Sequence, residues 1–282
     1  AINGGYFRTT GVARGEPVGA FSLGGKVLSE PVRNRAALAM LDDGKQARLA
    51  IAHFTMTAEL RVEGKQTHPI NGINRPREKD ELILFTPEFH RTTLTEADGI
   101  ELLVEKNRMT AMIDGVGSHA IPHDGFVISA TGKARSWVQT NLRNGSRVEI
   151  KTEVKADPTL RFTPDFILGG GPQLIAASKT VFSAEADRYS ESLYRQRHPR
   201  TAIGWRADGK FVLVVVDGRQ KLSIGMTMDE LAGLMIELGC IEAMNLDGGG
   251  STTMVIQNKI ANHPSDATGE RAVSDALLVF PR

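Results

Sequence analysis

The order strand, capped helix, strand occurs late in the chain, and this order limits the possible folds. The run FVLVVV at 211–216 is apolar and mostly β-branched, which is typical of a strand buried on both faces. Thr227 and Glu230 have the spacing of a capping box, and Gly239 is placed to end the helix. The run CIEAMNL at 240–246 predicts the second strand. Short connections favour a right-handed, parallel βαβ unit.

An aspartate directly follows each of these strands, Asp217 after the first and Asp247 after the second. If the strands are parallel neighbours, both carboxylates emerge at one edge of the sheet, where open α/β sheets bind their ligands. Each aspartate is followed by glycine, which lets a ligand approach the backbone closely. The pattern therefore predicts a site at this edge.

The middle of the chain has a different character, with short alternating runs separated by turns. RAALAMLDDGKQARLAIA predicts a hairpin around Asp43-Gly44, and ELRVEGKQTHPI repeats the pattern around Gly64. We predict no helix between residues 32 and 160. This segment is expected to be rich in strands.

We therefore predict an α/β (α+β) protein with a mixed β-sheet core, flanking helices and a β-rich middle segment. Residues 1–31 and 161–282 would form the catalytic core, and residues 32–160 an insertion or a layer of the same domain. The opening residues AINGGYF resemble a strand entering a glycine turn and lack the regions of a signal peptide. We expect that an amino-terminal part of the core, with any targeting signal, is missing.

The composition argues against several classes of protein. Lys and Arg total 34 and Asp and Glu total 33, so no overall charge attracts nucleic acid or an anionic membrane. No apolar run reaches the roughly 20 residues that a membrane helix needs. The single cysteine, Cys240, permits no internal disulfide and is expected in the core. His119 and His123 are separated by Pro122, and we predict neither a metal nor another cofactor.

The motif LDGGGSTTM at 246–254 is the sharpest single feature. Three glycines after a strand allow close approach of a ligand and offer unhindered N–H donors. Asp247 adds charge, and Ser251 and Thr252 add hydroxyl groups. The alternative is a tight turn in which these side chains only cap the backbone. The motif is neither a P-loop nor a dinucleotide fingerprint.

Two arginines have the chemistry to bind a phosphate. Arg219 lies two residues after Asp217, and guanidinium groups bind phosphate or carboxylate with two hydrogen bonds. The alternative is an exposed turn. Arg200 enters an apolar strand in RHPRTAIGW, where burial without a partner is costly, so an anion or carboxylate is expected beside it. The alternative is a solvated basic loop.

The ordered set NGGYF, GGGP, PRTAIG, DGR, LDGGGSTTM and NHPSD…GER closely resembles the phosphodiester glycosidase family. That family includes the mammalian enzyme that removes N-acetylglucosamine from a phosphodiester on glycans. The resemblance covers nearly the whole chain. It implies hydrolysis of a sugar-1-phosphodiester at the anomeric carbon–oxygen bond and a bacterial protein of the extracellular space or cell envelope.

By position, the resemblance implies catalytic roles for Asp247, Asp217, Arg219 and Arg200. It implies substrate contacts for Asn3, Gly248, Gly249, Ser251, Thr252, Asn262, Ser265 and Arg271. Either Asp217 or Asp247 would act as base or nucleophile, or would orient the arginines, and the residues do not decide between them. The alternative for Asn3 is a structural role in a turn. The alternative for the loop from Asn262 to Arg271 is a connection at the protein surface.

Two other functions fit the same residues. One is a glycosidase that acts on a glycan without phosphate. The other is a non-catalytic protein that binds envelope polysaccharide or assists exopolysaccharide assembly. Aromatic residues are only 6% of the chain, and Trp137 and Trp205 are isolated in sequence, which disfavours a binding platform for sugars.

Overall fold

The computed structural model describes residues 1–44, 46–63, 66–183 and 189–280. Strands account for 42% of the described residues and helices for 10%, so the fold is mainly β. The predicted α/β class is correct only in that helices flank a sheet. Alternating patterns in the middle segment and hairpins in the core produce antiparallel pairs, where βαβ units would produce parallel ones.

The strands of the amino-terminal half are β1 (Ile2–Asn3), β2 (Phe21–Leu23), β3 (Lys26–Ser29), β4 (Ala36–Asp42), β5 (Ala47–Val62), β6 (Gln66–Pro69), β7 (Gly72–Ile73), β8 (Leu82–Phe85), β9 (Ile100–Glu105), β10 (Arg108–Asp114) and β11 (Gly125–Ala130). The later strands are β12 (Val148–Asp157), β13 (Phe166–Gly169), β14 (Gln173–Ala176), β15 (Lys179–Thr180), β16 (Arg200–Arg206), β17 (Phe211–Val216), β18 (Cys240–Asn245), β19 (Val255–Ile256), β20 (Lys259–Ile260) and β21 (Ala276–Leu277). The helices are α1 (Gly132–Asn141), α2 (Glu191–Arg195) and α3 (Met228–Glu237).

The largest sheet has the order β12-β5-β4-β13-β2-β3, with β6 also paired to β5. The predicted hairpin at Asp43-Gly44 is confirmed by the antiparallel pairing of β4 with β5. Strand β6 returns antiparallel to β5, as predicted, while Gly64 lies outside the described residues. This sheet joins strands from the middle segment to β2 and β13 of the proposed core. The division into two segments remains a prediction.

The second sheet has the order β10-β9-β11-β8-β7 and is covered by α1. The prediction that residues 32–160 contain no helix is wrong. Helix α1 has no side-chain cap and no acidic residue in its first turn, so its sequence carries a weak helical signal. Ala134 and Val138 are buried against the sheet, and this tertiary packing stabilises the helix.

The third sheet has the order β15-β14-β18-β16-β17. The capping box of Thr227 and Glu230 is confirmed at the start of α3. Strands β17 and β18 run in the same direction, but β16 lies between them and is antiparallel to both. The predicted neighbouring parallel pair is therefore wrong. The tight turn at residues 207–210 favours a local hairpin of β16 with β17, which places β16 in the middle.

Strand β17 is an edge strand and is only half-buried, whereas its sequence predicts burial on both faces. Its side chains still alternate between two apolar clusters. Val212, Val214 and Val216 pack on the side of α3, and Leu213 and Val215 pack on the other side of the sheet. Apolar clusters cover both faces of the strand, which explains why it is apolar throughout. Its outer edge pairs with no other strand among the described residues. Cys240 is buried in the cluster beside α3, as predicted.

Candidate active site

One edge of the third sheet, formed by the ends of its strands, carries the candidate site. Strands β17 and β18 end there, and β16 begins there. Arg200 pairs with Val216, and Ala202 pairs with Asn245. Asp217 and Asp247 therefore leave the same edge, on either side of the strand that begins at Arg200. Strand β16 is antiparallel to both β17 and β18, so β17 and β18 run in the same direction. Their carboxyl ends, and the two aspartates that follow them, therefore lie at the same end of the sheet.

The glycines after Asp247 are required by close backbone contacts on two sides. The amide of Gly249 donates to the carbonyl oxygen of Pro199 at 2.9 Å. A side chain on Gly248 would place its Cβ 2.7 Å from the same oxygen. Gly249 has φ +63°, and its Cβ would lie 3.1 Å from Nη2 of Arg219. The glycine loop thus lies between Pro199 and the guanidinium group of Arg219.

Asp247 is a largely buried carboxyl group. Its Oδ1 accepts a hydrogen bond from the amide of Gly248 at 2.9 Å. Burial raises the pKa of Asp247 to about 6, and the negative charge of Asp275 adds to this. The Ser251 hydroxyl, the Gly248 amide and the charge of Arg271 act in the opposite direction. A carboxyl group that titrates near neutral pH is suited to proton transfer.

Asp217 is anchored to the loop after β20. Its Oδ1 accepts from Nδ2 of Asn262 and from the amide of His263, each at 3.0 Å. Its Oδ2 lies 3.3 Å from Nδ1 of His263. The side-chain Oδ1 of Asn262 accepts a hydrogen bond from the backbone amide of Met254 at 2.8 Å. Both residues therefore position the loop that carries Ser265 and Arg271.

Arg219 is exposed and has a left-handed backbone conformation, with φ +60°. Its Nη2 donates to Nδ1 of His198 at 3.2 Å. Burial lowers the pKa of His198, and the charges of Arg200 and Arg219 lower it further, which favours the neutral ring as acceptor. Within the described part of the chain, Arg219 forms no ion pair. Its charge is available to an anionic ligand.

Arg200 is 1% exposed. The carboxylate expected beside it is absent from the described residues, and three backbone carbonyl groups take its place. Its Nε donates to the carbonyl oxygen of Met226 at 2.8 Å, and its Nη2 donates to those of Leu193 and Gln196 at 2.7 and 2.9 Å. Burial lowers the pKa of Arg200 to about 10. Arg200 therefore holds α2 and the turn before α3 against β16, and its catalytic role stays a prediction.

Asn3 and Thr252 also hold the backbone in place. The Nδ2 of Asn3 donates to the carbonyl oxygen of Asp247 at 2.7 Å. Its Oδ1 accepts from Oγ1 of Thr201 at 2.7 Å and from the amide of Thr253 at 3.1 Å. Thr252 is 1% exposed, and its Oγ1 lies 3.4 Å from that of Thr201. These buried groups are hydrogen-bonded to protein atoms and position the backbone, and their contacts with a substrate stay a prediction.

Arg271 is held by Asp266 through two hydrogen bonds of 2.8 and 3.0 Å. A Cβ on Gly250 would overlap both the guanidinium group of Arg271 and the carboxylate of Asp266. The third glycine of the motif is thus required by this ion pair. The pair places a positive charge close enough to Asp247 to oppose the rise in its pKa.

Two residues of this edge, Tyr6 and Asp275, are missed by the sequence predictions. The Tyr6 hydroxyl donates to the carbonyl oxygen of Gly171 at 2.9 Å and accepts from Nδ2 of Asn245 at 3.0 Å. The Oδ1 of Asp275 accepts from the amide of Gly5 at 2.6 Å. Asp275 is an acidic residue within the apolar run AVSDALLVF, which is a signal that a buried carboxyl group has a role.

Several buried polar atoms at this edge have no hydrogen-bond partner among the described residues. They are Oδ1 of Asn245, Oγ1 of Thr253, Oγ of Ser265 and Oδ2 of Asp275. Buried polar side chains are normally hydrogen-bonded to protein or water, so these atoms have the capacity to bind water or a polar ligand. Ser265 is among the predicted substrate contacts, and so is Ser251, whose hydroxyl interacts with Asp247. These contacts stay a prediction.

The sequence profile of the phosphodiester glycosidase family matches residues 98–280. The chain belongs to this family. The resemblance inferred from the sequence motifs is thereby confirmed, and the matched range includes Arg200, Asp217, Arg219 and Asp247. Within the described part of the chain, no helix is long and apolar enough to cross a membrane.

Curated relatives match shorter or more divergent parts of the chain. The chain is 40% identical over 67 residues to the N-acetylglucosamine-1-phosphodiester alpha-N-acetylglucosaminidase of Homo sapiens, which covers 24% of this chain and 13% of that protein. It is 46% identical over 83 residues to the prophage-derived uncharacterized protein YomE of Bacillus subtilis, again 13% of that protein. An uncharacterized protein of Rickettsia conorii, RC0079, is 25% identical over 223 residues, or 77% of this chain and 74% of that protein.

Solved structures support the same fold over the full length. A Burkholderia pseudomallei protein, described as a candidate exported protein, is 26% identical with a TM-score of 0.85, and the match covers 99% of this chain and 65% of that one. A hypothetical protein from Synechocystis is 24% identical with a TM-score of 0.76, and the match covers 94% of this chain and 48% of that one. The chain thus spans about half to two thirds of these structures.

Alanine at Gly250 and at Gly233 is expected to have opposite effects on stability. Gly250→Ala forces the Arg271–Asp266 ion pair to move, which should lower the free energy of unfolding by about 1–3 kcal/mol. Gly233 lies on the exposed face of α3 with open space around it, so Gly233→Ala should raise that free energy by about 0.5–1 kcal/mol. Urea denaturation of both variants measures the difference. Equal effects would contradict the packing described at Gly250.

Proposed function

We propose that this protein hydrolyses a sugar-1-phosphodiester at the bond between the anomeric carbon and oxygen, releasing a free sugar and a phosphomonoester. One observation carries the proposal: the Asp247 carboxyl group, with a pKa of about 6, lies beside the glycine loop that contacts Arg219 and packs against Arg271. Membership of the phosphodiester glycosidase family supports a glycosidase type of hydrolase. The substrate is inferred from the chemistry of these residues together with the named activity of the mammalian relatives.

In the proposed reaction, Asp247 is the general base. The Asp247 carboxylate takes a proton from water as the water oxygen forms a bond to the anomeric carbon. The electron pair of the breaking carbon–oxygen bond passes to the phosphate oxygen, which leaves as a phosphomonoester. Glycosidases usually need an acid for the leaving group, but a phosphomonoester is already a stable anion. Electrostatic stabilisation of the phosphate therefore matters more than proton donation.

Arg219 is proposed to stabilise the leaving phosphate. It is exposed, it forms no ion pair within the described residues, and it lies against Gly249, two residues from the proposed base. Its contact with His198 fixes the guanidinium group without neutralising it, because a histidine ring carries no negative charge, and the lowered pKa of His198 favours the neutral ring that can accept this hydrogen bond. Arg271, whose charge is partly neutralised by Asp266, is proposed to orient the substrate together with Ser251 and Ser265.

We infer that the protein acts in the extracellular space or the cell envelope of a bacterium. The support is the similarity to the Burkholderia protein described as a candidate exported protein. Sugar-1-phosphodiesters that link envelope glycans would be accessible substrates there.

The test follows hydrolysis of UDP-N-acetylglucosamine and of methyl N-acetylglucosamine-1-phosphate in water enriched with ¹⁸O. Attack at the anomeric carbon places the label in the released sugar, and mass spectrometry of both products locates it. Label in the phosphate would instead identify a phosphodiesterase and overturn the proposed bond cleavage.

An aryl N-acetylglucosaminide without phosphate is the comparison substrate. We expect kcat/KM for the phosphodiester to exceed that for the aryl glycoside, because only the phosphodiester engages Arg219. The reverse preference would favour a glycosidase acting on a glycan without phosphate. Binding of envelope polysaccharide without turnover of any substrate would favour the non-catalytic alternative.

A further inference from the structure

We propose that Asp275 is a positioning residue of the same site, which acts through its charge on Asp247 and controls the protonation of that carboxyl group. The proposal rests on the function proposed above, in which Asp247 is the base. It also gives a reason for the glycines of the NGGYF motif, which the proposed reaction does not otherwise explain.

The backbones of Asp247 and Asp275 are both hydrogen-bonded to one residue, Gly4. The amide of Asp247 donates to the carbonyl oxygen of Gly4 at 3.1 Å, and the amide of Gly4 donates to the carbonyl oxygen of Asp275 at 2.9 Å. The amide of Gly5 donates to the Oδ1 of Asp275 at 2.6 Å. The pairing of β1 with β21, in which Asn3 faces Ala276, fixes this arrangement.

Gly4 is needed for the carboxylate of Asp275 to lie in this place, because a Cβ on Gly4 would overlap the Oδ1 of Asp275. Gly5 is needed for a different contact, because its Cβ would overlap the carbonyl oxygen of Gly169. These two close approaches explain Gly4 and Gly5 without any direct contact between them and a substrate.

Asp275 lacks a positive partner. None of the ion pairs between described residues includes it, and its Oδ2 is buried without a hydrogen-bond partner. Burial raises the pKa of Asp275, and the bonds from the Gly5 amide and the Ser274 hydroxyl oppose this rise. A carboxylate kept in such surroundings destabilises a second negative charge nearby.

The groups that face Asp247 act in two directions. Arg271, Ser251 and the amide of Gly248 favour its ionised form. Burial and the charge of Asp275 favour its protonated form. Burial raises the pKa of Tyr6, and the charge of Asp247 adds to that rise. Among these groups, Asp275 is the carboxyl group whose charge can be removed without changing its shape, because asparagine keeps an oxygen to accept from Gly5.

Asp275→Asn is expected to shift the acidic limb of the kcat/KM profile to lower pH by less than about one unit, because burial contributes more to the raised pKa of Asp247 than the charge of Asp275 does. The reason is that Asp247 ionises more easily once the neighbouring negative charge is gone. Glu101→Gln is the matched control, because Glu101 is a carboxyl group 1% exposed in the second sheet, away from this edge. That variant should leave the limb unchanged. An unshifted limb in a folded Asp275→Asn protein would overturn the proposal.

A second measurement uses the wild-type protein without substrate, so it does not depend on whether a variant folds. Titration of the wild-type protein with ¹³C-labelled aspartate carboxyl groups, followed by NMR, should show that the signal of Asp247 also changes over the pH range in which Asp275 titrates, because each charge affects the other group. Two independent single-step curves would overturn the proposal. Coupled titration without hydrolysis of any sugar phosphodiester would uphold the link between the two carboxyl groups and reject the proposed function.

Discussion

Asp247→Asn is expected to lower kcat for a sugar-1-phosphodiester by about 10²–10⁴-fold, the usual contribution of a positioned general base. Asparagine keeps the oxygen that accepts from the Gly248 amide, so the glycine loop should keep its shape. The lost function is the capacity to take a proton from water. Steady-state kinetics of the wild type and the variant on the same substrate measure the effect.

The same substitution should stabilise the protein above neutral pH. The folded-state pKa of Asp247 is about 6, raised from 3.8, so ionisation of this group costs stability as pH rises from about 4 to about 6. Asparagine removes that cost, and we expect a free energy of unfolding about 1–3 kcal/mol higher than that of the wild type at pH 8. The gain should vanish below pH 4.

Asp208→Asn is the control for both measurements, because Asp208 lies in an exposed turn at the opposite end of β16. It should leave turnover unchanged. Full activity of Asp247→Asn would reject Asp247 as the base. Reduced activity accompanied by reduced stability at pH 8 would indicate that the residue is mainly structural.

Arg219→Ala is expected to lower kcat/KM for the phosphodiester by about 10²–10³-fold, the typical effect of removing one group that stabilises a developing negative charge. Arg219→Lys should recover only part of the loss, because an ammonium group cannot form the paired hydrogen bonds of a guanidinium group. Kinetics of the three proteins on methyl N-acetylglucosamine-1-phosphate give the ratios. Inorganic phosphate should also inhibit the alanine variant less than the wild type.

Arg206→Lys is the matched control for this series, since Arg206 is a partly exposed arginine at the far end of β16 from the site. Its kinetics should equal those of the wild type. An Arg219→Ala variant within threefold of wild type would remove Arg219 from the phosphate site. A loss of equal size on an aryl glycoside would show that Arg219 supports the site in general and does not act on phosphate.

Much of the site follows from rules that act over a few residues. The capping box of Thr227 and Glu230 starts a helix because both partners lie within one turn. The Asp43-Gly44 hairpin forms because its turn residues suit the twist of the flanking strands. The shared edge of Asp217 and Asp247 was predicted from the order of strand, helix and strand. It persists although β16 separates the two strands.

Other features depend on partners that sequence spacing does not reveal. Helix α1 has a weak local signal and is stabilised by the sheet beneath it. The sequence predicts an anion or carboxylate beside Arg200, whereas the guanidinium group donates to three carbonyl groups of α2 and neighbouring segments. The buried amide of Asn3 could not be distinguished from a substrate contact, because its partners lie about 200 and 250 residues away.

The sequence by itself determined the family, the glycine-rich strand ends and the presence of both aspartates at one edge, because these depend on local turns and strand direction. Only the tertiary structure separated the roles of those residues. The pKa of Asp247 depends on burial and on Asp275, which the chain brings to Gly4 from the other end through the pairing of β1 with β21. Charge interactions of this kind act through space, and their strength is set by distance and burial in the folded protein.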